Sequence, residues 1–157
     1  MRLDQIKKDG GIHYFEIEKA KNRNSIHKVP MHREIEASGF LTYVEGLRAK
    51  NATMLFPHLK PGKNGYSKNM SRRFGDYLDV LKVPDKRKVF HSLRHTFITR
   101  LTEMNVHPVM LMALVGHYEQ AKVDFSSPHV VNYQHEKPLS VLKQTIDRLE
   151  LPIKHFW

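Results

Sequence analysis

The stretch from Ser92 to Met104 constrains the fold more than any other. Leu93, Phe97, Leu101 and Met104 recur at helical spacing, which predicts a helix over residues 92–104 with one buried stripe. Ser92 stands where a hydroxyl can cap the first turn. His91 and Arg94 then fall three residues apart beside the helix start, where unpaired N–H groups and the helix dipole favour an anion. A nucleic-acid phosphate is the anion that suits this pair.

The remainder reads as helices around one small sheet. Asp9-Gly10-Gly11 is a turn signal, and Ile12–Glu18 has strand composition. Lys19–Asn24 suits a hairpin tip, and Ser25–Val29 reads as the returning strand, stopped by Pro30. A third strand is expected before this hairpin. Ile35, Phe40, Leu41, Val44 and Leu47 predict a helix over 33–50, weakened at Gly39. Residues 51–69 are loop-like. A second helix is expected over about 67–81, with Phe74, Leu78 and Leu81 inward and Arg72 and Arg73 outward. After the 92–104 helix, Pro108 fits a first helical position and Gly116 a C-terminal stop. Pro138 opens a last helix carrying Leu139, Leu142, Ile146 and Leu149 on one face. The fold class is therefore α+β, mostly helical with a small N-terminal antiparallel sheet. At 157 residues one domain is expected.

Charge narrows the partner. Lys and Arg number 26 against 16 Asp and Glu, a formal net charge of +10, which points to a polyanion, most often nucleic acid. Lys19, Arg23, Lys68, Arg72, Arg73, Lys86, Arg87 and Lys88 are the candidate DNA-binding cations. The absence of cysteine excludes disulfides and thiolate metal sites. His91 and His95 are four apart but have no glutamate between them, so the zincin pattern is not met and no metal is expected. No apolar run approaches membrane-spanning length and no leader is visible, which makes a cytoplasmic setting the expectation.

Four motifs lie in one order along the chain. Lys21 sits in a basic hairpin segment that ends in Val29-Pro30. Phe90-His91-Ser92-Leu93-Arg94 is a His-x-x-Arg box. Leu114-Val115-Gly116-His117 is a Gly-His box, and Tyr133 is followed by a Leu-rich helix. This set resembles the catalytic domain of the tyrosine recombinases, the phage-integrase family. Gly39-Phe40-Leu41-x-Tyr43-Val44 and Leu55-Phe56-Pro57 resemble connecting segments of the same family. The resemblance implies DNA strand exchange through a 3′-phosphotyrosyl intermediate, with double-stranded DNA as partner and no metal or nucleotide cofactor. It implies Tyr133 as nucleophile, Arg94 as phosphate clamp, Lys21 as general acid, and His91 and His117 as supporting acid/base groups and phosphate ligands. Lys19 competes with Lys21 for the acid role. Tyr133 follows His117 by 16 residues, a longer spacing than the family usually has.

The resemblance also marks a departure. The family has a first arginine that makes a second phosphate clamp. Arg2 invites that role, but the stretch Arg2–Ile12 aligns without a deletion to the entry into the sheet, which leaves the first arginine upstream. On this reading the chain is a C-terminal catalytic fragment spanning 1–157, lacking the N-terminal core-binding domain and the helix of that arginine. An exposed apolar surface is expected where the missing helices would pack. Two functions stay open: site-specific recombination or integration, and an inactive remnant that only binds DNA. The direction of Arg2, toward Arg94 or toward solvent, separates them. The segment Pro138–Trp157 either docks on a neighbouring copy, giving self-association, or packs on its own core.

Overall fold

The computed structural model describes residues 1–18, 26–62, 65–83, 85, 87–116 and 137–150. Lys19, Lys21, Arg23, Lys86, His117 and Tyr133 lie outside the described residues.

The expected third strand is present. Strands β1 (Ile6–Asp9), β2 (Ile12–Ile17) and β3 (His27–Pro30) form an antiparallel sheet in the order β1-β2-β3. The β1–β2 turn pairs Asp9 with Ile12 across Gly10 and Gly11, whose φ angles are +53° and +84°. Two successive positive φ values match the right-handed twist of the flanking strands, and glycine adopts them without steric cost. Pro30 does not stop β3 short but is its last residue, paired with Tyr14. A proline is tolerated there because β3 is an edge strand and the missing N–H need not face the ladder.

The 33–50 helix is two helices, α1 (Arg33–Ala37) and α2 (Phe40–Ala49). Gly39 separates them at φ +78°, a left-handed conformation that ends one helix and turns the chain into the next. His32 caps α1: its Nδ1 accepts from the Glu34 amide at 3.1 Å. That leaves the imidazole hydrogen on Nε2, which donates to the Leu149 carbonyl at 2.9 Å. His32 is 3% exposed, so this pairing satisfies both nitrogens of a buried ring.

Helices α3 (Ser67–Val80), α4 (Ser92–Glu103), α5 (Pro108–Val115) and α6 (Leu139–Asp147) complete the described elements. Two apolar clusters flank the sheet. One gathers Leu101, Val106, Ala113, Leu114, Leu142 and Ile146 from α4, α5, α6 and the turn between α4 and α5, with Val29 of β3 against it. The other gathers Leu3, Ile6, Met31, Val44 and Leu55, with Phe15 and Phe40 in an edge-on ring contact at 5.9 Å. Thus α6 packs on this chain's own core. Lys143 reinforces the docking by donating to the Met31 carbonyl at 2.7 Å and the Glu36 carboxylate at 2.8 Å.

Three further sequence expectations are corrected. Ser92 does not cap α4. The backbone is already helical at His91 (φ −65°, ψ −22°), and Ser92 is the first helical residue. Its hydroxyl accepts from the Val89 amide at 3.1 Å and donates to the Arg87 carbonyl at 3.2 Å, so it ties down the lead-in turn. Leu93 leaves the buried stripe and is 53% exposed, whereas Leu101 is fully buried. Leu81 is exposed rather than inward. No residue of α3 is fully buried, because this helix rests on the molecule chiefly through Phe74, whose ring meets Phe90 edge-on at 5.7 Å.

Candidate phosphate site and nucleic-acid interface

The site is built where α4, α5 and β3 converge. Arg94 lies in the first turn of α4 and is partly buried. Its Nη2 donates to the Val115 carbonyl at 2.7 Å. Val115 is the last residue of α5, where the helix exposes unpaired carbonyls and the negative end of its dipole. A guanidinium is held well there, and this bond uses one of its five N–H groups.

Gly116 follows at φ +65° and closes α5, its amide donating to the Met112 carbonyl at 2.9 Å. Two constraints select glycine here. The positive φ is costly for a residue with a Cβ. In addition, a Cβ at this position would lie under 3.0 Å from Cε1, Nδ1 and Nε2 of His27. The His27 ring therefore fills the space beside the Gly116 backbone. His27 and Val29 are two apart on β3 and share a face, and Val29 packs against the cluster that holds Leu114.

His91 precedes Arg94 by three residues, at the start of α4, and is exposed. Its ring meets that of His95 edge-on at 5.0 Å. The helix start does not offer a row of free amides to an anion. Ser92, Leu93 and Arg94 donate their N–H groups to the carbonyls of Val89, Phe90 and His91 at 2.8, 3.3 and 3.1 Å. Side chains, Arg94 first among them, must therefore supply the anion contacts.

The candidate DNA-binding cations that are described are all exposed: Lys68, Arg72 and Arg73 on α3, and Arg87 and Lys88 on the connection into α4. Their charges are not equally available. Arg87 donates through Nε and Nη2 to both Asp85 oxygens, at 2.9 and 3.1 Å. The hydrogen bonds from Arg87 hold the Asp85 carboxyl below the usual carboxylate range. Arg2, the candidate first clamp, is bound through its guanidinium to Asp4, on an exposed surface beside the Leu3 cluster, and its backbone pairs with Met54.

Sequence reasoning brought out His91 and Arg94 but missed His27 and the Val115 carbonyl. The signal for His27 was its strand parity with Val29. For the carbonyl there was none beyond its place before a glycine stop.

Exposed apolar side chains gather on α3 and the segment after it: Tyr77, Val80, Leu81, Val89, Phe90 and Leu93 are each 40–78% exposed. Among the described residues no helix is long and apolar enough to cross a membrane, and no group of three or more His, Asp or Glu side chains is arranged to hold a metal ion.

No curated protein and no solved structure matches the chain. The model of the phage integrase family matches residues 1–137, a span that holds the basic hairpin, the His91–Arg94 helix, the Gly116 stop and Tyr133. With the motifs in order and the match covering most of its length, the chain belongs to the phage integrase family.

Proposed function

We propose that this chain breaks and rejoins DNA through a tyrosine, with Arg94 as the clamp on the scissile phosphate. Family membership makes DNA integration and recombination of the tyrosine-recombinase type its general activity, with DNA as partner. In the finer reading, the Tyr133 oxygen attacks the phosphorus and its proton passes to a histidine of the pair His91 and His117. The 5′ oxygen leaves with a proton from Lys21, and a 3′-phosphotyrosyl link remains. Attack by a 5′ hydroxyl reverses the step and rejoins the strand. The phosphorane carries more negative charge than the diester, so a fixed cation beside it lowers the barrier. No metal or nucleotide enters this reading.

The observation that carries it is the bond from Arg94 to the Val115 carbonyl. It joins the His-x-x-Arg helix to Val115 at the end of α5, two residues before His117 in sequence, which supports a common site for the two motifs.

A second reading, DNA binding without cleavage, is favoured by the pairing of Arg2 with Asp4, which commits that guanidinium away from Arg94. Self-association through Pro138–Trp157 belongs to the proposal too. An exchange of that segment between copies has to lift Leu142 and Ile146 out of the cluster around Leu101 and Leu114.

The test is covalent trapping on nicked or phosphorothiolate-bridged duplexes. A protein–DNA band that Tyr133→Phe abolishes is expected. A band that survives Tyr133→Phe overturns the nucleophile assignment. Salt-sensitive DNA binding without any band, across a panel of duplexes, overturns cleavage and leaves the binding-only reading.

A further inference from the structure

We infer that His27 is a positioning residue for the phosphate clamp, acting on Arg94 through the Val115–Gly116 peptide. The inference rests on the proposed role of Arg94 but concerns a residue to which the motif set gives no role.

The argument begins at Gly116. Its φ of +65° turns the chain sharply at the end of α5, and this turn fixes where the Val115 carbonyl points. The His27 ring occupies the only side of Gly116 on which a Cβ would project, under 3.0 Å from where that atom would stand. The ring is not free to retreat. His27 pairs with Ile17 in the β2–β3 ladder, and Val29, two residues on, is packed into the cluster with Leu114. The α5 terminus is therefore pressed from one side by a side chain on a fixed strand. From another side it is held by the 2.7 Å bond of Arg94. Interiors packed this closely transmit displacement, since a gap of even a fraction of an ångström forfeits contact energy. Loss of the ring lets the Val115–Gly116 peptide relax, and the guanidinium bonded to it moves with it. His27 also lies in the same sequence segment as Lys21, at the start of β3, so one side chain sets the spacing between that strand and the clamp.

The ring does this by its shape and position, so a ring of similar size restores it. The experiment uses the full chain and three variants, His27→Ala, His27→Phe and His27→Gln. It reads the NMR resonance of the Arg94 Nε–H group, assigned by its absence in Arg94→Lys, together with affinity for a random-sequence duplex and the rate of covalent trapping at saturating duplex. His27→Ala is expected to shift the Arg94 resonance and to slow trapping by about 100-fold, the scale of a small misplacement of a reacting group. Duplex affinity should change by less than about twofold, because many other phosphate contacts supply it. His27→Phe is expected to return both the resonance and the rate toward wild type. If His27→Ala does not fold, His27→Gln, which removes the ring and keeps a polar stem, carries the same comparison.

An unshifted Arg94 resonance in the ring-deleted variant overturns the proposal. So does a failure of His27→Phe to restore the resonance, which would assign the effect to the imidazole's polar atoms rather than to its place. If the wild-type chain traps no DNA, the strand-transfer reading fails, while the resonance comparison still decides the role of His27.

Discussion

At the scale of the residue, the role proposed for Arg94 rests on a guanidinium that is planar and held at one end. A lysine there could keep the charge but would offer a point donor on a flexible stem, and it could not grip Val115 and a phosphate in one rigid geometry. The Arg94→Lys variant should therefore bind random duplex within about twofold of wild type, since charge supplies that affinity. Covalent trapping should fall by about 10²- to 10³-fold, the usual cost of losing one fixed donor to a developing oxyanion. Filter binding beside single-turnover trapping measures both; a parallel loss in the two would instead assign Arg94 to general DNA affinity. His91 and Arg94 stand out as candidates in the sequence because their types and spacing are themselves the chemical signal. The role of Ser92 does not stand out. Its identity suits a cap, but the chain enters the helix one turn early, through bonds from Ser92, Leu93 and Arg94 back to Val89, Phe90 and His91. That turn depends on where Phe90 meets Phe74, a contact between residues 16 apart that no local pattern encodes. His27 was legible only in part: strand parity with Val29 gives its face, but its contact is with Gly116, on another element.

Among the elements, α6 shows how much docking depends on a few polar anchors beside an apolar stripe. Leu142 and Ile146 enter the core at helical spacing and were readable in advance. Lys143, between them, was not, although it binds the Met31 carbonyl and both Glu36 and Asp147, the latter at 3.2 Å. A lysine on a surface helix ordinarily reads as solvated; here the sheet-to-α1 connection comes close enough to capture it. Replacing it by methionine keeps the aliphatic stem and removes the donors. Glu36 retains a partner in His13 Nδ1 at 3.1 Å, and Asp147 retains the Arg33 amide at 2.9 Å, which limits the damage. Lys143→Met should cost about 1–3 kcal/mol, the range for hydrogen bonds to charged groups. It should also speed amide exchange in α6 more than in β2. Chemical denaturation and hydrogen exchange test this, and uniform acceleration through the molecule would mean that α6 does not open separately. The same contrast applies to the 33–50 segment: Gly39 was visible as a weak point, but the break into two helices comes from its φ of +78°, which no periodicity of apolar residues encodes.

Over the whole molecule, a net charge of +10 guarantees attraction to DNA but does not say which cations meet phosphates. The structure separates them by what each already holds. Arg72 and Arg73 are exposed on α3, a helix whose apolar neighbours Tyr77 and Val80 are exposed as well. Arg87 is 91% exposed, yet it carries Asp85 with it, so its field at a distance is largely cancelled. Counterion release offers a direct way to read this difference. Each phosphate contact contributes about 0.9 to the slope of log affinity against log salt. The double variant Arg72→Gln, Arg73→Gln should therefore flatten the slope by about 1–2, equally on unrelated duplexes, because phosphate contacts carry no sequence information. Arg87→Gln should flatten it by less than about half of one contact. Titrations of a random duplex over a range of salt concentrations distinguish the two patterns. If Arg87→Gln flattens the slope as much as the α3 pair does, the Asp85 pairing gives way on DNA, and the phosphate-binding face extends from α3 along the connection into α4.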